Sequence, residues 1–224
     1  MPCSLRSRLR TFSFNCDYGT NVAMYADSPQ RSVRKVPPPL DKARLEELAL
    51  AYVARFATSA GKLSAYLRRK LRERGWEGEG EPGIEGEDAA KPDVAGPDVA
   101  GIVARFVALG YVDDAGYARA KGGSLLRRGY GERRVEQALA AAGIGEADRE
   151  EARASEREQR RAALTMVRKR RFGPFGPPLS NPVQREKQVA ALLRAGHPLA
   201  SARVLVDAET IEAAENWADE GDDG

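Results

Sequence analysis

A short unit that occurs three times constrains the fold of this chain more than any other feature. The copies are Leu67-x3-Leu71-x3-Gly75-Trp76, Val135-x3-Leu139-x3-Gly143-Ile144 and, more loosely, Val189-x2-Leu192-x3-Gly196-His197. Each copy has two apolar residues at helical spacing, then a glycine, then a larger side chain. This pattern is typical of a short helix that buries one stripe, ends at a left-handed glycine and is closed by a packed side chain. Three copies predict stacked helical modules rather than one globular core.

The wider pattern predicts an all-α fold of tandem three-helix repeats in an elongated, curved array. Aromatic residues make up only 7% of the 224 residues, and Ala, Arg, Glu and Leu are abundant, which favours helix over sheet. We predict module 1 at 41–110, module 2 at 111–154 and module 3 at 155–206. The first forty residues lack an apolar period and predict a disordered N-terminal arm. Residues 207–224 form an acidic tail, to which Trp217 could add a marginal helix.

Apolar spacing places three helices in module 1. One helical face collects the apolar residues after Asp41: Leu45, Leu48, Ala49, Tyr52 and Phe56. A second helix is predicted over 59–74, and a third begins near Val99 and closes at Gly110. Residues 77–97 are rich in Gly, Pro and acid, which indicates a flexible acidic insertion. The insertion lacks the Gly-Lys-Ser/Thr ending of a phosphate loop.

Modules 2 and 3 follow the same plan. Asp113 or Asp114 is expected to cap a helix that runs to about Arg127. Gly122-Gly123 inside this helix is expected to bend or fray it, because each glycine costs about 1 kcal/mol relative to Ala. A turn at 129–131 precedes helices over 132–142 and 145–154. Module 3 is predicted as helices over 155–172, 182–195 and 198–206, with Pro182 and Pro198 in first turns.

The charges are sorted along the chain. The formal net charge is only +3, but residues 41–75 and 101–206 together carry 29 basic and 15 acidic side chains. Residues 76–100 hold eight acids and one Lys, and the segment from Asp207 onward holds eight acids and no base. A basic body with acidic appendages predicts a polyanionic partner or an acidic protein surface. A merely solvated Arg-rich helix surface is the alternative.

The basic residues form one cluster per module. We predict that stacking aligns these clusters into a basic stripe for binding phosphates or an acidic protein strip: Arg68, Arg69, Lys70, Arg72 and Arg74; Arg127, Arg128, Arg133 and Arg134; Arg168, Lys169, Arg170 and Arg171. Tyr130 lies between two Arg pairs, where it could stack on a base or pack in the turn.

The residue pattern provides no catalytic, metal or cofactor site, so we predict that the chain is not an enzyme. Cys3 and Cys16 lie in the arm and are expected to be free thiols. The single histidine, His197, follows a helix-ending glycine and is expected to be a packed plug or cap. No apolar run approaches the ~20 residues that span a bilayer, and no secretory signal is evident. We expect a soluble, cytoplasmic protein without a membrane association.

The stretch LGYVDD…YA…RRGYGERRV…AL…GI, within Leu109–Ile144, resembles the bacterial RecX family. The resemblance extends over about 41–206 and is weaker in module 3. It implies tandem three-helix repeats that bind the RecA recombinase and the RecA–DNA filament and negatively modulate ATP hydrolysis, strand exchange and co-protease activity in recombination and the SOS response. We also expect a monomer with weak direct binding to single- and double-stranded DNA. The sequence departs from the family pattern at three places: the insertion at 77–97, Gly122-Gly123 and His197.

Two further hypotheses remain open at the level of sequence. The chain could be an autonomous basic helical nucleic-acid-binding module or transcriptional regulator, although its helices offer Arg, Lys and Ala rather than a base-reading set. The acidic segments could fold back on the basic stripe as internal competitors, or they could serve only solubility. The competitor hypothesis predicts that deleting 207–224 tightens binding to single-stranded DNA at low salt.

Overall fold

The computed structural model describes residues 38–77, 96–178 and 181–220. Nearly all of the predicted arm and of the acidic insertion, including Cys3 and Cys16, lies outside the described residues. The described residues contain ten α-helices: α1 Lys42–Arg55, α2 Ala60–Arg74, α3 Val99–Ala108, α4 Asp114–Arg127, α5 Glu132–Ala140, α6 Glu146–Glu151, α7 Glu156–Arg170, α8 Pro182–Arg194, α9 Leu199–Asp207 and α10 Ile211–Asp219. A 3₁₀ turn spans Gly173–Phe175. The predicted all-α class is confirmed.

Polar side chains at the helix starts explain most of the helix boundaries. Asp41, Ser59 and Asp98 each accept a backbone N–H in the first turn of α1, α2 and α3. Asp113, rather than Asp114, caps α4. Ser155 and Glu158 form a reciprocal capping box at the start of α7. These contacts satisfy N–H groups that the helix itself leaves without a partner.

The buried side chains of the described residues fall into three clusters that follow one another along the chain, and the third also includes α10 of the predicted acidic tail. The first cluster includes Leu45, Leu63 and Phe106 from α1–α3. The second joins α4 and α5 through residues such as Leu125 and Leu139. The third joins α7–α10. The division into three modules is our interpretation of this arrangement.

The repeated unit behaves as its pattern predicts. Gly75, Gly143 and Gly196 all have positive φ, at 81°, 74° and 96°. The side chains that follow them turn inward, since Ile144 and His197 are each only 4% exposed and Trp76 packs on the first core. His197 contributes a polar contact as well, because its Nε2 lies 3.1 Å from the carbonyl oxygen of Gly129. Burial lowers the pKa of His197, which favours the neutral ring in this position.

Three local expectations were wrong. Phe56 ends α1 and is 53% exposed instead of packing on the core face. Leu40, placed in the arm, is fully buried, and its backbone pairs with that of Trp76 beside the C-terminus of α2. Pro198 precedes α9 as its N-cap, whereas Pro182 lies in the first turn of α8. Gly122 and Gly123 lie within the continuous helix α4, where a Cβ at Gly122 would lie 3.4 Å from Val135, and the bending or fraying expected there stays a prediction.

The acidic tail also differs from its expectation, because part of it is a helix of the third core. α10 packs along α7, and its Ala214 and Ala218 are fully buried. Thr210 caps the helix through the backbone N–H of Ala213. The buried residues of α10 are two alanines among acidic side chains, so the sequence provides only a weak indication of a helix with a buried face. Only the tertiary contact with α7 reveals that it belongs to the core.

The start of α2 meets the end of α5 through backbone contact. A Cβ on Gly61 would lie 2.7 Å from the Cα of Gly143 and 2.8 Å from the carbonyl oxygen of Ala142. The hydroxyl of the fully buried Ser59 donates to the same Ala142 oxygen at 2.5 Å. Asp114 of module 2 accepts from the backbone N–H of Ala60 at 2.8 Å. Modules 1 and 2 therefore meet where the two backbones are too close for a side chain at Gly61 or Gly143.

The start of α5 meets the end of α8 in the same manner. The backbone N–H of Gly131 donates to the carbonyl of Ala195 at 2.9 Å, and that of Arg133 donates to Gly196 at 3.3 Å. A Cβ on Gly131 would lie 2.6 Å from the backbone nitrogen of His197. The middle helices of the three modules are thus connected N-terminus to C-terminus by two glycine contacts.

Replacing Gly131 by Ala should destabilise the protein by about 1–3 kcal/mol, because the added methyl overlaps backbone that cannot rotate away. Gly145→Ala is the matched control. Gly145 is also an N-cap with extended backbone and no side-chain cap, but the nearest atom to its Cβ would be an Asp148 oxygen at 3.8 Å. Urea denaturation gives both free energies of unfolding. Equal losses in the two variants would contradict the close-contact explanation.

Candidate polyanion-binding surface

The basic cluster of module 1 lies on α2 and is divided between exposed and engaged side chains. Arg68, Arg69 and Arg72 are exposed. Lys70 pairs with Glu73 at 2.6 Å, and its hydrogen bond lowers the pKa of the Glu73 carboxyl. The guanidinium of Arg74 donates from Nε and Nη2 to the carbonyl of Pro38, at 3.1 and 3.0 Å. Arg74 therefore holds the segment that contains Leu40 and is the least available of the five predicted residues.

The clusters of modules 2 and 3 meet at one cavity of about 300 Å³. Its cationic lining comes from Arg128 after α4, Lys169 and Arg170 of α7, and Arg194 of α8. Lys169 Nζ lies 3.2 Å from the carbonyl oxygen of Arg128, so the two modules are in contact across the cavity. No acidic side chain lines it. Four cations without a lining carboxylate create a strongly positive concave surface.

Arg194 extends this surface to a second cavity. The second cavity, of about 350 Å³, is lined by Arg133, Arg134, Gln137, Leu193, Arg194 and Gly196. Arg133 and Arg134 are exposed at the start of α5. The glycine contact between Gly131 and Gly196 brings them beside Arg194. We refer to the two cavities together as the basic groove. Arg194 is not among the residues predicted from the sequence, because it stands alone between apolar residues and belongs to no basic run.

Tyr130 lines the first cavity and is partly buried against the second core. The guanidinium of Arg128 lies 5.5 Å from the centre of its ring, within cation–π range. Both predicted roles of Tyr130, base stacking and turn packing, remain compatible with this position.

The cluster at 168–171 is split by its surroundings. Lys169 and Arg170 face the first cavity, and Arg171 is an exposed left-handed residue at the end of α7. Arg168 is instead paired with Glu215 of α10 and lies 5.6 Å from the ring centre of Phe175. Two of the four predicted residues therefore belong to the groove.

The helix α10 neutralises much of the arginine-rich face of α7. Asp219 pairs with Arg161 at 3.0 Å, and Glu215 pairs with Arg168. Arg160 donates to the carbonyl of Trp217 at 3.0 Å and lies 4.8 Å from the centre of its ring. The competitor hypothesis requires an acidic tail that is free to fold back on the basic stripe, and the sequence predicted at most a marginal helix there. Residues 211–219 instead occupy a fixed place on α7.

A third cleft between modules 2 and 3 contains both signs of charge. Its volume is about 660 Å³, and its charged lining comprises Glu132, Glu136, Glu146, Glu150, Arg133, Arg149 and Arg153. Burial raises the pKa of Glu132, whose Oε2 is buried without a hydrogen-bond partner. Arg149 pairs with Glu136, and Arg153 pairs with Glu150 at 2.9 Å. Among the described residues, no group of three His, Cys, Asp or Glu side chains is placed to hold a metal ion.

Within the described ranges, no helix is long and apolar enough to cross a membrane.

No family model matches the chain. The chain is 31% identical over 167 residues to the regulatory protein RecX of Myxococcus xanthus (strain DK1622), which covers 73% of this chain and 84% of the relative. It is also similar in fold to the crystal structure of RecX from Lactobacillus salivarius. That match has a TM-score of 0.53 and 15% identity, and covers 73% of this chain and 93% of the other.

Removing the two α10 carboxylates should release α7 arginines without removing the helix. Deleting 207–224 would also remove the buried Ala214 and Ala218, so a double variant, Glu215→Gln with Asp219→Asn, is the cleaner change. We expect about two- to fivefold tighter binding to single-stranded DNA at low salt, and a smaller gain at high salt because screening weakens the contacts.

The control is Glu209→Gln with Glu212→Gln, which changes the net charge equally but lies outside these ion pairs. Fluorescence anisotropy with a labelled single-stranded oligonucleotide measures the affinity of both double variants. If the two double variants bind equally well, α10 does not mask α7.

Proposed function

The chain belongs to the RecX family of regulatory proteins, and on this premise we propose that it binds the RecA recombinase and the RecA–DNA filament. In this proposal, binding slows ATP hydrolysis by RecA and reduces strand exchange and co-protease activity, so that recombination and the SOS response are restrained. The chain acts by occupying a surface and not by catalysis, as a monomer in the cytoplasm.

The basic groove is the observation that carries this proposal. Cations from the end of α4 (Arg128) and from α5, α7 and α8 converge there, although they are far apart in the sequence. A RecA–DNA filament offers phosphates, and a protein filament can offer carboxylates, so the groove has a complementary partner in either case. The exposed arginines of α2 (Arg68, Arg69 and Arg72) would add contacts from module 1.

The proposed mechanism follows from the way the modules are joined. The glycine contacts fix the middle helices end to end, so the cations are held in place before binding, and little conformational entropy is lost. A rigid basic surface seated on a filament would oppose the subunit movements that accompany ATP hydrolysis. The weak direct affinity for DNA that we propose would arise from the same cations.

The purified chain should slow the DNA-dependent ATPase of RecA at near-stoichiometric ratios. Replacing Arg128, Lys169, Arg170 and Arg194 by Ala should raise the concentration for half-inhibition by about tenfold or more, and should reduce the salt dependence of binding, because each lost phosphate contact lowers the slope by about 1.

The matched control replaces Arg105, Arg119, Lys187 and Arg203 by Ala, which removes the same charge outside the groove. A coupled ATPase assay and a pull-down of RecA with and without nuclease measure the effects. If a folded preparation in excess leaves both ATPase and strand exchange unchanged, the proposed function is wrong. If the nuclease abolishes capture and RecA is unaffected, the chain is an autonomous nucleic-acid-binding protein.

A further inference from the structure

A cavity on module 1 lies apart from the basic groove and has a different chemistry. It has a volume of about 400 Å³ and is lined by Ala51, Tyr52, Arg55, Phe56, Tyr66 and Arg69. The lining comes from the C-terminal half of α1, from Phe56 directly after it, and from α2. Three of the six residues are aromatic, two are arginines and none is acidic. We call this site the aromatic cavity.

The three aromatic rings form a continuous platform whose exposure increases from the two tyrosines at the core to Phe56 at the surface. Tyr52 and Tyr66 are stacked, with ring centres 4.2 Å apart and planes 15° from parallel. Phe56 lies 5.4 Å from Tyr52 with its plane tilted by 50°. The two tyrosines pack on the first core, but Phe56 is 53% exposed at the end of α1. An exposed ring beside a stacked pair leaves an aromatic surface that a planar group can cover.

Cations surround the platform. Arg69 Cζ lies 5.6 Å and Lys70 Nζ 5.9 Å from the ring centre of Tyr66, and Arg55 is exposed in the last turn of α1. The nearby carboxylate of Glu73 is engaged by Lys70 at 2.6 Å and Arg69 at 3.6 Å. Hydrogen bonding and charge from these neighbours lower the pKa of Glu73, so it stays ionised as their partner. The ligand that fits is therefore planar and aromatic in one part and anionic in another.

We propose that the aromatic cavity binds single-stranded nucleic acid, with one base stacked on Phe56 and the flanking phosphates held by Arg55 and Arg69. Aromatic platforms with adjacent cations are a general means of binding single strands, because every base has a π-face and the backbone is anionic. A duplex does not fit in this way, since its bases are already stacked on each other. An acidic peptide could use the arginines but would leave the exposed ring uncovered. This inference does not rest on the proposed action on RecA.

The test uses the full chain, without RecA, and a fluorescein-labelled oligo(dT) in an anisotropy titration. Phe56→Ala should weaken binding by about five- to tenfold, which corresponds to the loss of one base–ring stack. Phe56→Trp should retain or tighten binding. Tyr111→Ala is the control, because Tyr111 is an aromatic residue of similar exposure, 55%, that lies outside the aromatic cavity. Thermal unfolding confirms that the variants are folded.

A duplex of equal length and a photo-cross-link complete the design. Phe56→Ala should leave duplex affinity unchanged, and an oligonucleotide with 5-iodouracil should cross-link to the peptide that contains Phe56. Three results would each overturn the proposal. Phe56→Ala and Tyr111→Ala could lose the same affinity for oligo(dT), or Phe56→Ala could lose as much affinity for the duplex as for the single strand. The cross-links could also map only to the basic groove. A Phe56→Ala variant that binds oligo(dT) normally but captures less RecA in the pull-down would also overturn the proposal, because the cavity would then be a protein contact. Since no RecA is present in the titrations, these results are independent of the ATPase assay.

Discussion

Close backbone contact between paired glycines holds the modules together. Gly61 meets Gly143, and Gly131 meets Gly196, at distances that exclude even a methyl group. Hydrogen bonds reinforce both junctions, from the Ser59 hydroxyl in one case and from backbone N–H groups in the other. Packed interiors tolerate very little added volume, so these contacts define the spacing of the middle helices. The position of the cations in the basic groove depends on this spacing.

The repeat made a large part of the fold predictable. Helix-ending glycines and buried plugs such as Ile144 follow from local chain geometry, and Asp113 and Ser155 cap helices as short polar side chains do. Leu40 and α10 were not predictable in this way. Each is buried only because a distant element, α2 or α7, provides the complementary surface. Phe56 satisfies the helical period of α1, but it falls one residue after the helix has ended.

The candidate site was less predictable than the fold, because it is formed between modules. Sequence runs identified Arg128, Lys169 and Arg170, but not the isolated Arg194 that connects the two cavities of the basic groove. The basic runs in the sequence also included Arg74 and Arg168. In the structure, Arg74 donates to the carbonyl of Pro38 and Arg168 pairs with Glu215. Charge in a sequence does not distinguish a cation that holds a segment in place from one that is open to a partner.

The central claim is that the basic groove faces RecA on the filament, and site-specific photo-cross-linking tests it most directly. A benzophenone amino acid at position 137, where Gln137 lines the groove as an exposed neutral residue, should form a covalent product with RecA in the presence of single-stranded DNA and ATP. The same probe at position 200, where the exposed Ala200 lies outside the groove lining, should give little product. Efficient cross-linking at 200 with none at 137 would contradict the account.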